Sequence, residues 1–205
     1  MVKAVLTVDL DYWAFDTSKP TCLAFMRSLW HRCTLGGLKA GPYLYIDHHH
    51  MLKHLDAHPA SICVNVDMHD DLGDRPPSRK VQCGDWAMAV KWRSQATYEF
   101  RYPFEGPAFC GGTEWNSGCK RTHGWQRLQR QRGLRGILDY DLVYVGLCLS
   151  PEFIKAQHMY KGLAYLLESA REYRYCLGPP KVMHCALQII ANGVAEDIYH
   201  DERCT

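Results

Sequence analysis

Three short apolar runs in this chain each stop at a carboxylate. Residues 3–8 (KAVLTV) run into "VDLDYW", which carries Asp9 and Asp11. Residues 43–46 (YLYI) run into "IDHHHML", with Asp47, His48, His49 and His50. Residues 61–66 (SICVNV) run into "NVDMHDDLGD", with Asp67, His69, Asp70, Asp71 and Asp74. Apolar, β-branched runs of this length read as buried strands. Between them lie segments with helical spacing: residues 21–33, closed by "GGLKAGP", and residues 49–58, closed by Pro59. Strands alternating with helices indicate an α/β fold with a mostly parallel sheet. All strands of such a sheet end on one edge, where ligand sites form. The pattern predicts one α/β domain over residues 1–205, a three-layer sandwich whose acidic strand ends share a cleft.

The rest of the chain extends this plan. Residues 142–149 (LVYVGLCL) are the clearest buried strand, and Ser150 and Pro151 open a helix over 151–173. A last helix is expected over 181–195, and a short one over 84–94 with Trp86 and Trp92. Residues 103–121, rich in Gly, Pro and Cys, receive no assignment. Residues 123–133 (HGWQRLQRQRG) read as a basic, exposed helix or connection. The 205 residues, 47% hydrophobic, suffice for one sizeable core. A net charge of +2 gives no electrostatic basis for binding nucleic acid or an anionic membrane. No apolar run approaches the ~20 residues of a spanning helix. "MVKAVLTVDLDYW" reads as a first strand rather than a secretory signal, so a cytoplasmic protein is expected. Its ten cysteines are then expected as reduced thiols. The absence of any C-x-x-C pair argues against structural zinc.

Side chains two apart on an extended segment point the same way. Asp9 can therefore converge with Asp11, and Asp67 with His69 and Asp71. The carboxylates of Asp9, Asp11, Asp67 and Asp71 cannot all stay ionised in one small cleft without protons or cations to compensate them. Two divalent cations supply the matching charge, and His48 and His69 add neutral nitrogen donors. A donor set dominated by oxygen, with a few imidazoles and no thiolate, favours Mn2+ or a similar ion over structural zinc. Alone, a D-x-D usually caps a turn; D-x-H-x-D after an apolar strand is more specific. Together on successive strand ends, they predict a metal site.

These motifs, with "LCLSPEF" late in the chain, resemble the compact arginase-like proteins that include the peptide arginases of ribosomal peptide natural-product maturation. The resemblance runs from the first strand to about residue 154. The D-x-H-x-D and D-x-D pairs are also those of the wider arginase and deacetylase superfamily, with the D-x-D strand moved to the front of the chain. The resemblance implies that Asp9, Asp11, Asp67, His69 and Asp71 bind two manganese ions, with His48 as sixth ligand and His49 as its alternative. His50 stands where many relatives have Glu, and Met51 where they have Ala.

By the same resemblance the reaction is hydrolysis of an arginine side chain in a precursor peptide. Hydroxide, made available by the two ions that Asp67 bridges, attacks the guanidinium carbon; urea leaves and ornithine remains. A cationic substrate needs a carboxylate fork. Glu152 in the "SPE" turn is the candidate, with Asp74 and His49 as further substrate contacts. His50 is a candidate proton shuttle, and Asp47 is a candidate to orient the His triplet. Tyr12, Trp13, Trp86 and the 103–121 segment are candidates to line the mouth of a peptide site, although Trp86 and Trp92 at near-helical spacing equally suit a core. Another guanidino compound, an acylated amine, or a non-catalytic metal-binding role are the alternatives.

Overall fold

The computed structural model describes residues 1–13, 20–35, 43–45, 48–73, 81, 83–103, 109–110, 113–114 and 122–148. Eight strands and three α-helices lie in these segments. They are β1 (Lys3–Asp9), α1 (Pro20–Leu35), β2 (Tyr43–Tyr45), α2 (Leu52–Asp56), β3 (Ile62–Val66), α3 (Trp86–Ala89), β4 (Thr97–Tyr102), β5 (Phe109–Cys110), β6 (Thr113–Glu114), β7 (Arg127–Arg132) and β8 (Asp141–Cys148). Six of the strands form one sheet in the order β2-β8-β1-β3-β4-β7, and every pairing in it is parallel. β5 and β6 make a separate antiparallel pair. The protein is thus an α/β fold built on a parallel sheet.

Burial follows from position in the sheet. β1 is buried at every residue after Lys3, so both faces of the sheet are covered there. β7 at one edge is half-buried or exposed throughout. Leu128 turns toward the core, while two arginines on the same face reach back to the sheet. Arg132 lies over the Tyr102 ring, its Cζ 5.2 Å from the centroid, and Arg130 Nη2 is 3.4 Å from Asp70 Oδ2. Residues 123–133 are therefore an edge strand preceded by a turn, not a helix. Charged side chains suit such an edge, where they blunt pairing with other chains.

β4 (TYEFRY) was hidden in the sequence by its charges. Glu99 and Arg101 alternate with Tyr98 and Phe100, and all four are buried. The Arg101 guanidinium donates to Glu99, and the Tyr140 hydroxyl donates to Glu99 Oε2 at 2.9 Å. The pair thereby satisfies itself inside the fold. The helix expected over 84–94 is broken. α3 stops where Val90 turns extended (φ −58°, ψ 122°), and a separate 3-10 turn follows at Arg93–Gln95. The helix expected over 49–58 starts as a 3-10 turn at His48–Met51 and becomes α-helical only at Leu52. In α1, Phe25, Met26, Leu29 and Cys33 form the buried stripe. The helices expected over 151–173 and 181–195 lie outside the described residues. No helix among the described residues is long and apolar enough to cross a membrane.

Beside β2 the Tyr144 hydroxyl donates to Tyr45 at 3.1 Å, and the Tyr45 hydroxyl pairs with His54 Nδ1. The His54 pKa is lowered from the usual 6.5, chiefly by burial and then by Lys53 and His58. A histidine whose folded pKa is depressed stabilises the fold above its unfolded value, and that contribution disappears as pH falls through the folded value. His54→Gln keeps an acceptor for Tyr45 and cannot gain a proton. Its Tm is expected to fall less than that of the wild type as pH drops below about 6.5; equal slopes would show that His54 does not titrate with folding.

Candidate metal centre

β1 lies at the point where the chain reverses direction across the sheet, because β2 falls on one side of it and β3 on the other. Crevices at the carboxyl ends of strands open at such points. β1 delivers Asp9, and β3 delivers Asp67 one residue past Val66, the partner of Val8. The Asp67 N–H still donates to the Arg101 carbonyl at 3.0 Å, which extends the ladder to the site. The 3-10 turn after β2 brings His48 across the end of β8 to meet both.

The donors converge as three trios, the ligand atoms of each within 4.8 Å of one another: Asp11, Asp67 and His69; His48, Asp67 and Asp71; and Asp9, His48 and Cys148. Asp9, Asp11, His48, Asp67 and Asp71 are all buried, and His69 is half-buried. His48 Nδ1 lies 2.9 Å from Asp71 Oδ2, 3.3 Å from Asp67 Oδ2 and 3.4 Å from Asp9 Oδ2. His69 Nδ1 lies 3.0 Å from Asp11 Oδ2 and 3.7 Å from Asp67 Oδ1. Asp67 thus presents one carboxylate oxygen to each imidazole.

Convergence does not come from strand alternation, as the two-residue spacing suggests. Asp11 sits in a 3-10 turn, Leu10–Trp13. Its N–H donates to Asp9 Oδ1 at 3.0 Å, and the His69 N–H donates to Asp67 Oδ1 at 2.8 Å. Both are Asx turns, in which the first aspartate folds the chain back over itself. At Asp71 the backbone is left-handed (φ 51°), a conformation that a side chain other than Gly adopts only at a cost. Asp71 is held there by two donors from α3: its carbonyl accepts from the Ala87 N–H at 3.3 Å, and its Oδ2 accepts from the Trp86 indole.

Around these groups stands a second layer of polar side chains. Thr7 donates to Asn65 Oδ1 at 2.7 Å, and Asn65 Nδ2 donates to Asp67 Oδ2 at 3.2 Å and to the His69 carbonyl at 3.3 Å. Trp86 is fully buried, so it belongs to the core and touches the site through Asp71 rather than lining a peptide groove. Tyr12 is also buried, its hydroxyl 3.4 Å from the Tyr102 carbonyl. His49 and His50 lie half-buried on the His48 turn, their ring centroids 4.1 Å apart. Neither belongs to a donor trio. Asp47, Asp74, Glu152 and most of 103–121 lie outside the described residues, and so does the Trp13 side chain. Sequence reasoning missed Cys148; its signal was its place at the end of the clearest strand, opposite Asp9 in register.

Without cations the electrostatics of this cluster are adverse. Burial, then the charges of Asp11 and Asp67, holds the Asp9 carboxyl well above the usual range. Burial and then Asp67 push Asp11 up to about 7. Burial, followed by the charge of Asp71, raises Asp67 as well. Burial opposes the charged form of both imidazoles, yet the carboxylates outweigh it. Contact with Asp71, then the charges of Asp9 and Asp67, lifts His48 to about 10, and hydrogen bonds with Asp11 and Asp67 lift His69 to about 11. The His48 Nε2 atom is buried with no hydrogen-bond partner among the described residues. Four carboxylates and two imidazoles, short of positive charge and hard in character, fit divalent cations.

Two expectations follow from this geometry. Ions must displace the protons the cluster retains, so affinity rises with pH and binding releases protons. Calorimetry in buffers of different ionisation enthalpy measures that release, and a buffer-independent heat would count against it. Trp86→Phe keeps the ring and removes the donor that orients Asp71. Manganese affinity should fall roughly 10–100-fold, while an unchanged titration would reduce Trp86 to packing. The chain matches no family model, no curated protein and no solved structure, so the site's own geometry and chemistry carry its interpretation.

Proposed function

We propose that the chain is a binuclear manganese hydrolase of the ureohydrolase type, which converts arginine within a precursor peptide to ornithine and releases urea. In this reading the parallel sheet belongs to an arginase-like three-layer sandwich. One observation carries the proposal: the Asp67 carboxylate turns one oxygen to His48 and the other to His69. Two ions that share a ligand require such a carboxylate. Asp9, His48, Asp67 and Asp71 would hold one ion, and Asp11, Asp67 and His69 the other. Held there, divalent ions would supply hydroxide near neutral pH.

The chain's own residues perform the remaining tasks. The buried carboxylates fix the positions of the charges, and Asn65 and Trp86 hold two of those carboxylates in place. Glu152, assigned by motif resemblance, forks the substrate guanidinium and orients its carbon. His50, on the turn that carries His48, gives a proton to the leaving amine. Glu152→Gln is expected to lower turnover and leave the metal content unchanged; loss of metal in that variant would make Glu152 structural instead.

The deciding experiment supplies manganese and an arginine-bearing precursor peptide. Loss of a CN2H2 unit from the peptide mass, with stoichiometric urea, is the expected result. Turnover of free arginine, agmatine or an acylated amine in place of the peptide would replace the substrate assignment. Metal uptake without turnover of any of them would leave a binding module.

A further inference from the structure

The donor trio that the arginine-hydrolase reading does not use is Asp9, His48 and Cys148. β8 runs parallel to β1 with Cys148 opposite Asp9, and residues in register on neighbouring strands share a face. His48 arrives from the far side, over the end of β8, so the thiol sits between the strand that carries Asp9 and the turn that carries the histidine. All three residues are nearly inaccessible: Cys148 is 0% exposed, His48 2% and Asp9 3%. Two of them are the donors already assigned to one ion. The imidazole also keeps a buried nitrogen, Nε2, without a hydrogen-bond partner among the described residues. A buried thiol is ordinarily a small core residue. Here it ends β8, with a ligand atom of the buried Asp9 carboxylate and one of the His48 imidazole within 4.8 Å.

We propose that Cys148 is a sulfur donor to the ion shared by Asp9 and His48. The inference rests on the metal-centre reading above and refines it. One position of the centre is then mixed N/O/S in character, and the other, at Asp11 and His69, offers oxygen and nitrogen alone among the described residues. Soft thiolate donors select zinc, cobalt or cadmium over magnesium and calcium. The two positions therefore differ in relative preference: both accept manganese, and the thiol side binds a thiophilic ion more tightly than the other does. Binding through sulfur releases the thiol proton to solvent and changes no oxidation state.

Cobalt(II) titration of the metal-free chain tests this without any assay of turnover. The expected result is an intense near-ultraviolet sulfur-to-cobalt charge-transfer band that grows with one of two bound ions. In Cys148→Ser the band is lost, while the visible ligand-field bands and the uptake of the other ion remain. Should the serine variant fail to fold, Cys148→Ala carries the same readout. Cobalt uptake with ligand-field bands alone in the wild type would overturn the sulfur assignment and leave the metal centre standing. A charge-transfer band that survives in the Cys148 variant would assign it to another cysteine and overturn the inference equally. No cobalt uptake at all would overturn both readings.

Discussion

Asp67→Asn is expected to abolish hydrolysis and the stabilisation by manganese, while leaving the metal-free chain as stable as the wild type or more so. The opposite signs arise because Asp67 has two energetic roles. In the metal-free chain its charge is buried against Asp71, and its pKa is raised by burial first and by that neighbour second. A carboxyl whose folded pKa is raised destabilises the fold wherever it must ionise. An amide of the same shape removes that repulsion and still accepts the His69 N–H, and this relief of buried charge is expected to outweigh the loss of the Asn65 hydrogen bond, whose donor then faces the amide NH2. With manganese present the balance reverses, because the amide offers one oxygen and no charge where the proposed bridge needs two oxygens and a negative charge. An ion at about 100 times its Kd contributes about 2.7 kcal/mol, which in a chain of this size is a Tm shift of roughly 5–11 °C. The wild type should show such a shift for each ion, and the variant almost none. Thermal melts with and without manganese, together with metal analysis, measure both signs. A manganese shift of wild-type size in Asp67→Asn would remove the bridge. Asp67→Ala should lose the same shift and, lacking an acceptor for the His69 N–H, be less stable than the wild type without metal as well.

The sequence made the centre of the sheet legible because those strands are buried on both faces. β1, β3 and β8 are continuous apolar runs, and each ends where an α/β fold places its chemistry. The strands farther out were not legible. β4 conceals its burial behind the Glu99–Arg101 pair, a satisfaction that exists only after folding. β7 has the composition of a solvated helix, and its two anchoring arginines find Tyr102 and Asp70 only in three dimensions. Element type at the sheet margin therefore depended on tertiary contacts rather than on periodicity.

The site divides along the same line. D-x-D and D-x-H-x-D marked five of the seven donors that converge, because acid at a strand end is unusual whatever the backbone does next. The backbone route was not legible: Asx turns at Asp9 and Asp67, together with a left-handed Asp71, aim the side chains, and none of these follows from spacing. Cys148 and Trp86 reach the cluster from distant parts of the chain. No local pattern links the former to Asp9, or the latter to Asp71, before the sheet is assembled.

Asp71 separates ligand chemistry from backbone strain, so two substitutions there should part company. Its φ of 51° is tolerated by Asn at least as well as by Asp, whereas Ala has no side-chain hydrogen bond to offset the strain. Asp71→Asn retains an oxygen for the Trp86 N–H and loses the charge that faces His48 at 2.9 Å. The metal-free fold then loses the buried pairing of Asp71 with His48 but keeps the acceptor for Trp86, while the ion beside His48 is lost and activity with it. Asp71→Ala adds two penalties. The buried indole N–H of Trp86 loses its acceptor, at roughly 1–3 kcal/mol, and the left-handed backbone loses a residue suited to it, at roughly 1 kcal/mol more. Metal-free Ala variant should therefore melt well below the Asn variant, with both equally inactive. Equal melting temperatures would mean that the Trp86 contact and the backbone conformation cost nothing, and Asp71 would act only as a ligand. Retained activity in the Asn variant would show that the second oxygen of Asp71 is dispensable, and the charge balance of the site would have to be met by Asp9 and Asp67 alone.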